Sequence, residues 1–242
     1  MTDLSKTPQR IAGMFDAIAD RYDFLNHVLS AGIDRRWRRR AIQSLCLTGH
    51  ERVLDICTGT ADLAIAAARA HPSAAEVVGV DFAWAMLQVG RHKIVAERLI
   101  NRIRLIRGDA TRLPIASGSV DAITIAFGIR NVENTNAACN EMSRVLAPGG
   151  RVAILEFAIP TIRGVRGLYL WYFNHLLPRI GRLISRDSAA YGYLPESVRR
   201  FASPDEFVTI LRHHGFGQIS AVPLTFGIVF LYTARKADRR GL

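Results

Sequence analysis

An alternation of predicted strands and helices between residues 52 and 157 constrains the fold of this chain more than any other feature. Short apolar runs predict strands at residues 52–57, 76–80, 103–106, 120–126 and 152–157. Helical spacing of apolar residues predicts helices between them, at residues 61–70, 84–98 and 134–146. A repeated order of strand, helix and strand is typical of a parallel sheet that is covered by helices on both faces.

The C-terminal part of the chain departs from this alternation. Ser203 is a good N-cap before a proline, and a helix is predicted at residues 204–214. Two β-rich runs follow at residues 217–222 and 227–233, and the turn at residues 223–226 leaves no room for a crossover helix. These strands must therefore pair antiparallel. The pattern predicts a doubly wound α/β fold whose mostly parallel, seven-stranded sheet ends in an antiparallel hairpin, which resembles the class I S-adenosylmethionine-dependent methyltransferase fold.

Acidic residues stand at the ends of three successive predicted strands, at Asp55, Asp81 and Asp109. Ligands of open α/β sheets bind beyond the carboxyl ends of the strands. The turn at Gly59 lets backbone N–H groups approach a ligand closely, and Asp81 follows it at about the interval expected for a ribose-binding carboxylate. A nicotinamide enzyme would use Asp81 in the same way but would not need Asp109, which is well placed for an adenine edge. A turn or cap role is the alternative for each aspartate.

Four further motifs occur along the chain, at residues 22–26, 127–132, 144–150 and 191–195. They resemble motifs of the quinone C-methyltransferases of menaquinone and ubiquinone biosynthesis, and the match spans roughly residues 10 to 236. The resemblance implies a single methyltransferase domain over residues 1–242. It also implies S-adenosylmethionine as the methyl donor and a prenylated quinol as the substrate.

Three positions bear on the choice of quinol. Cys57 and Ala61 stand where the general methyltransferase loop carries glycine, and Ala126 stands where ubiquinone-type bacterial members tend to carry serine. In these positions the chain resembles the menaquinone branch of the family more closely. We therefore expect demethylmenaquinol as the substrate, with a benzoquinol of the ubiquinone pathway, or both quinols, as the alternative.

The resemblance also implies which residues form the site. Six residues are expected to bind S-adenosylmethionine, namely Asp55, Gly59, Thr60, Asp81, Asp109 and Ala110. Of these, Asp55 and Gly59 are expected to shape the site around its methionine end. The residues expected at the quinol are Tyr22, Asn26, Asn131 and Tyr191. The seven histidines show no metal-ligand spacing and methyl transfer needs no metal, although His27 remains an alternative base because histidine titrates near neutrality.

Arg130 is the residue that we expect to carry the chemistry. A ring carbon is a poor nucleophile unless an adjacent hydroxyl ionises, and a phenol with a pKa of about 10 is scarcely ionised at neutral pH. Each unit by which that pKa falls supplies about 1.4 kcal/mol, so a nearby fixed positive charge favours the reaction. Arg130 follows the fourth predicted strand and stays protonated. We predict that it stabilises the phenolate or orients a water that accepts the proton; a surface salt bridge is the alternative role.

The formal net charge of +11 favours an anionic partner, either phosphate backbones or lipid headgroups. Basic residues interleave with aromatic and apolar ones in two clusters, at residues 35–40 and 163–186. This mixture suits an interfacial surface, although solvated helix faces over a core give the same pattern. We expect a helical lid at residues 1–48 and a lid insertion at residues 161–202, which contact the polyprenyl tail and an anionic membrane surface.

The remaining observations limit the class of protein. No apolar run approaches the length of a membrane span, residues 1–10 lack a signal-type core, and the three cysteines are scattered. We therefore expect a cytoplasmic protein, peripheral at the inner face of the membrane, with no nucleic-acid partner; a homodimer stays open. The alternatives are an RNA methyltransferase, which the charge suggests, and a non-catalytic S-adenosylmethionine-binding subunit that scaffolds a quinone-making assembly.

Overall fold

The computed structural model describes residues 6–30, 32–70, 76–172, 175 and 189–237. The strands in this part of the chain are β1 Val53–Ile56, β2 Val77–Asp81, β3 Ile103–Arg107, β4 Val120–Ala126, β5 Leu146–Phe157, β6 Phe216–Leu224 and β7 Val229–Lys236. They form one sheet in the order β3-β2-β1-β4-β5-β7-β6. The neighbours among β1 to β5 pair parallel, and β7 pairs antiparallel with both β5 and β6. The predicted α/β fold and its closing hairpin are confirmed.

The helices of the described residues surround this sheet. They are α1 Pro8–Asp16, α2 Ala19–Leu29, α3 Asp34–Ser44, α4 Asp62–Arg69, α5 Trp84–Ala96, α6 Thr135–Val145, α7 Arg163–Trp171, α8 Ala189–Arg200 and α9 Pro204–His213. The predicted N-cap of α9 at Ser203 is confirmed: the side chains of Ser203 and Glu206 each accept a hydrogen bond from the other's backbone N–H. This reciprocal pair satisfies two N–H groups at the helix start.

The N-terminal end of β5 differs from the prediction. The strand begins at Leu146 rather than at residue 152, because α6 ends at Val145 and Leu146 already pairs with Val120. The register shifts between Val120 and Ala122, which marks an irregularity of the kind found at a β-bulge. Gly149 has a φ of +71° within this stretch, a left-handed conformation that glycine adopts without strain. Gly149 and Gly150, which follow the helix predicted at residues 134–146, therefore lie inside the strand.

Two apolar clusters cover the two faces of the sheet. Val53 and Leu155 belong to one cluster, whereas their neighbours Leu54 and Ile154 belong to the other. Since successive strand residues point to opposite faces, the core is split by the sheet into two layers.

The N-terminal helices close over the carboxyl ends of the strands. A small apolar cluster joins Ala12 and Ala19 to Ala83 and Met86 of the β2–α5 region. The Asp16 carboxylate adds a hydrogen bond, 2.8 Å long, from the backbone N–H of residue 85. Helices α7 and α8 lie within the predicted lid at residues 161–202, while Arg179, Arg182 and Arg186 of its basic cluster lie outside the described residues. None of the helices described is both long and apolar enough to cross a membrane.

Candidate active site

A cavity of about 860 Å³ opens at the carboxyl ends of β1, β2, β3 and β4, and we call it the polar cavity because carboxylate and amide side chains are among its lining groups. The residues that line it include four from the predicted cofactor set, which lie in loops or at strand ends: Gly59, Asp81, Asp109 and Ala110. Asn131 also lines it, from the turn after β4. The structure thus brings four of the six residues expected at the cofactor to one wall, where open α/β sheets bind their ligands.

Asp81 is fixed in this cavity by the backbone around it. Its Oδ2 accepts a hydrogen bond of 2.8 Å from the Gly59 N–H, and its Oδ1 accepts one of 2.9 Å from the Ala83 N–H. Burial raises the pKa of Asp81 above its ordinary value, and these backbone hydrogen bonds oppose that rise. Each carboxylate oxygen keeps a second lone pair, so both can still accept a hydroxyl of a ribose.

Asp109 and Asn131 offer further acceptors to the same cavity. Oδ1 of Asp109 accepts hydrogen bonds of 2.8 Å from both the N–H and the hydroxyl of Thr111, which leaves Oδ2 without a partner among the described residues. The Asn131 Oδ1 is buried and has no hydrogen-bond partner in the described part of the chain. A buried acceptor without a donor destabilises a fold, so a ligand with donor groups suits this wall. The hydroxyl, amino and ammonium groups of S-adenosylmethionine fit this set of acceptors.

Asp55 lies beneath the cavity instead of lining it. Its two oxygens accept hydrogen bonds of 2.6 Å from the hydroxyls of Thr58 and Thr124. Burial raises the pKa of Asp55 to about 6. Its contacts tie the loop after β1 to the neighbouring strand β4.

The loop after β1 keeps a glycine-like backbone where glycine is absent. Cys57 and Ala61 have φ values of +55° and +66°, beside +55° for Gly59. Side chains rarely adopt this left-handed region, because Cβ then crowds the following carbonyl. Gly128 packs against the same loop, and a Cβ there would lie 2.3 Å from the Cys57 Cβ. The loop conformation is therefore retained although two of its expected glycines are not.

Thr60 does not line the polar cavity. Its hydroxyl donates a hydrogen bond to Asp23 of α2, and the Lys93 Nζ lies 2.7 Å from the other carboxylate oxygen of Asp23. Lys93 also pairs with Asp62 at the start of α4. We call Asp23, Thr60, Asp62 and Lys93 the α2 latch, because they tie α2 to the cofactor loop. The sequence analysis missed Asp23 and Lys93; the only signal was that Asp23 stands beside Tyr22 in a motif.

A second cavity, of about 570 Å³ and lined mainly by apolar and aromatic side chains, adjoins the first. Phe15, Tyr22 and Phe127 line both cavities, so the two meet at these rings. Asn26 and Arg130 line the apolar cavity as well.

The remaining candidates for the substrate side are Asn131, Tyr191 and the alternative base His27. Asn131 lines the polar cavity rather than the apolar one. Tyr191 belongs to α8, but its side chain lies outside the described residues. His27 lines neither of the two cavities, and its Nδ1 lies 3.3 Å from the Asp34 Oδ1.

Arg130 is 5% exposed and carries a counter-ion that the sequence did not predict. Its Nη1 lies 2.8 Å from Oε1 of Glu156, a fully buried residue in β5. The guanidinium also donates to the Ser197 hydroxyl and stands 5.4 Å from the centre of the Phe157 ring. Its Nη2 donates no hydrogen bond to any residue that the structure describes, although Arg130 lines the apolar cavity. Arg130 is therefore a buried, ion-paired group with donors left over, and not a surface salt bridge.

Metal ligands do not gather anywhere in the described residues: no group of three or more His, Cys, Asp or Glu side chains could hold an ion there. The two cavities together offer polar acceptors for a nucleoside on one side and an apolar, aromatic space with one cationic wall on the other.

Comparison with solved structures agrees with the fold. An S-adenosylmethionine-dependent methyltransferase from Thermotoga maritima superposes with a TM-score of 0.65 at 17% identity, covering 93% of this chain and 99% of that one. The [4+2]-cyclase SpnF superposes with a TM-score of 0.71 at 16% identity, covering 98% of both chains. At these identities the likeness establishes the fold alone, since one fold hosts more than one reaction.

Comparison with known sequences is more specific. A protein from Geotalea daltonii named ubiquinone/menaquinone biosynthesis C-methyltransferase UbiE is 44% identical over 98% of this chain and its own full length. A protein of the same name from Syntrophotalea carbinolica is 49% identical over 91% of both chains. The demethylmenaquinone methyltransferase of Bacteroides fragilis is 40% identical over 96% of this chain and 94% of its own. The model of the ubiE/COQ5 methyltransferase family matches residues 1–236. The chain therefore belongs to the ubiE/COQ5 methyltransferase family and is an S-adenosylmethionine-dependent C-methyltransferase.

Proposed function

We propose that this protein methylates a ring carbon of a prenylated quinol, and that the quinol is demethylmenaquinol. The observation that carries the proposal is the contact between the two cavities at Phe15, Tyr22 and Phe127. A nucleoside bound in the polar cavity and an aromatic ring bound in the apolar cavity would come together at these three residues. The names of the relatives from Geotalea daltonii and Bacteroides fragilis, which refer to quinones, support the same substrate class.

S-adenosylmethionine supplies an electrophilic methyl group when it is bound. Asp81, Asp109 and Asn131 would hold the nucleoside through their free acceptors. Aromatic side chains around the apolar cavity would exclude water and align the ring carbon with the methyl group. Arg130 would direct its unpaired Nη2 donors at the oxygen of the quinol that ionises, which favours the phenolate and makes the adjacent carbon more nucleophilic.

The menaquinone branch is favoured over the ubiquinone branch by three residues of the cofactor region. Cys57 and Ala126 line the polar cavity, and Ala61 keeps the left-handed turn before α4. An alanine at residue 126 offers no side-chain hydrogen bond to the cofactor. A benzoquinol of the ubiquinone pathway is the second candidate, because the names of several relatives cover both pathways.

Peripheral contact with an anionic membrane is part of the proposal, because a polyprenyl tail partitions into a bilayer. Leu168, Trp171 and Phe226 line the apolar cavity and are exposed at its rim. The stretch between Glu156 and Asp187 contains five arginines and no acidic residue. Helix α3 lines the same cavity through a buried tryptophan and carries four exposed arginines on its outer surface. Apolar and cationic groups side by side suit a lipid headgroup region, which would hold the protein at the inner face of the membrane.

Trp171 gives a direct test of this membrane contact. Trp171→Ala should weaken sedimentation with anionic liposomes at low salt, since it removes an exposed ring at the rim of the cavity. Trp84 provides a matched control, because it is 52% exposed against 51% for Trp171 and lines neither cavity. Equal binding by both variants and the wild type, or no binding by the wild type, would contradict the membrane contact.

The methylation itself is tested with purified protein and S-adenosylmethionine labelled in the methyl group. Label should enter demethylmenaquinol faster than a demethylated benzoquinol, and it should not enter RNA. Methylation of the benzoquinol alone would move the protein to the ubiquinone branch, and methylation of neither quinol would overturn the proposal. Arg130→Ala should bind S-adenosylmethionine normally and lose turnover; full turnover would remove Arg130 from the mechanism.

A further inference from the structure

Tyr193 is a buried tyrosine in α8 that the sequence analysis did not select. It is 3% exposed and lines the apolar cavity. Its hydroxyl is buried and has no hydrogen-bond partner among the described residues. Most buried hydroxyls find a partner, because leaving one unpaired destabilises the folded protein. This phenol therefore suits a ligand that brings a hydrogen-bonding atom into an otherwise apolar space.

The position of Tyr193 relative to Arg130 follows from the helix. Ser197 lies four residues later on α8, and its hydroxyl accepts a hydrogen bond of 3.3 Å from the Arg130 Nε. Residues four apart share one face of a helix, so Tyr193 lies one turn from this contact on the same face. Both residues line the same cavity. The phenol and the guanidinium thus border one space from two different elements.

Tyr193 is a hydrogen-bond donor at neutral pH. Burial raises the pKa of Tyr193 above its ordinary value, and the neighbouring Arg130 only partly opposes this. A neutral phenol can donate a hydrogen bond to a hydroxyl oxygen of the quinol.

We propose that Tyr193 is a substrate-orienting residue, which donates a hydrogen bond to one ring oxygen of the quinol while Arg130 faces the other. This inference rests on the proposed function. Two donors on separate elements match a ring with two oxygens and fix its rotation in the plane. That rotation decides which ring carbon is presented to the methyl group.

The substitution Tyr193→Phe removes only the hydroxyl. We expect kcat/KM for demethylmenaquinol to fall by about fivefold, which is typical for the loss of a hydrogen bond between neutral groups. Affinity for S-adenosylmethionine, measured by calorimetry, should stay unchanged. Tyr232→Phe is the matched control, because Tyr232 is 2% exposed, lies in β7 and lines neither cavity.

A substrate analogue that lacks the hydroxyl bound by Tyr193, and keeps the hydroxyl that ionises, separates orientation from a general loss of structure. Tyr193→Phe should be as active as the wild type on this analogue, yet should lose kcat/KM on the intact quinol. Equal losses on the analogue and the intact quinol, or a variant as active as the wild type on the intact quinol, would overturn the inference and leave the proposed function standing. If the wild type methylates no quinol, the proposed function fails and this inference fails with it.

Discussion

The stability of this protein should depend on pH through Asp55, and the substitution Asp55→Asn isolates that dependence. Asp55 is 1% exposed, and the hydroxyls of Thr58 and Thr124 donate hydrogen bonds to it. These bonds favour the ionised carboxylate but do not compensate for its removal from water, so its pKa rises from 3.8 to about 6.

The sign follows from the order of the two pKa values. Below pH 3.8 the carboxyl is protonated in both states and adds no pH dependence. Between pH 3.8 and about 6 the unfolded chain ionises while the folded protein keeps its proton, so stability falls as pH rises. The difference between these two pKa values, at about 1.4 kcal/mol for each pH unit, destabilises the folded state by about 3 kcal/mol above pH 6.

Asn at residue 55 has nearly the same shape and does not titrate. Near pH 4 it should be about 1 kcal/mol less stable than the protonated wild type, because its amide matches the two threonine hydroxyls less well. Near pH 7 it should be about 2 kcal/mol more stable, the difference between these two effects. Urea unfolding from pH 4 to 8 measures the crossover, with the exposed Asp20→Asn as a control for the change in net charge. A difference between Asp55→Asn and wild type that does not vary with pH would refute the reasoning.

Three further substitutions, the first with a matched control, test other parts of the structure. Glu156→Gln should lower the free energy of unfolding in urea by about 3–5 kcal/mol, because Arg130 loses its buried counter-ion; Glu196→Gln, at a partly exposed ion pair, should lower it by less than about 1 kcal/mol. Asp23→Asn should weaken the binding of S-adenosylmethionine in calorimetry by about fivefold, because residue 23 no longer forms an ion pair with Lys93 in the α2 latch. An unchanged affinity would contradict this role of the α2 latch. Gly128→Ala should lower stability in thermal unfolding by about 1–3 kcal/mol, because the new Cβ would lie 2.3 Å from the Cys57 Cβ. An unchanged melting temperature would show that the loop moves to accommodate the methyl group.

The fold and the grouping of Asp81 and Asp109 at one cavity could be predicted because they depend on local sequence patterns. Strand and helix periods give the order of the elements, and right-handed crossovers bring the ends of parallel strands to one edge. Asp81 and Asp109 stand at the ends of two such strands, and both line the polar cavity. Thr60 does not line it, although it is adjacent to Gly59, because the direction of a side chain in a turn depends on contacts such as the one with Asp23.

Contacts between distant residues could not be predicted from these patterns. Asp23 and Lys93 are 70 residues apart, and Arg130 and Glu156 are 26 apart. The spacing within each pair does not indicate a contact, because such pairing depends on how whole helices and strands pack. A similar limit applies within α8, where the motif drew attention to its first tyrosine while Tyr193 is the one known to line the apolar cavity.

The counter-ion changes how Arg130 can act. An isolated guanidinium in an apolar cavity would be too costly to bury, whereas one paired with Glu156 is compensated. The pair adds little net charge, so the effect of the fixed positive charge on which the sequence prediction relied is largely cancelled. What remains is a planar group whose Nη2 donates no hydrogen bond to any described residue, on a side chain that lines the apolar cavity. Arg130→Lys should therefore fail as Arg130→Ala does: a lysine keeps the positive charge but cannot donate to the Glu156, Ser197 and substrate oxygens from one rigid plane. Full turnover by Arg130→Lys would show that charge alone is sufficient.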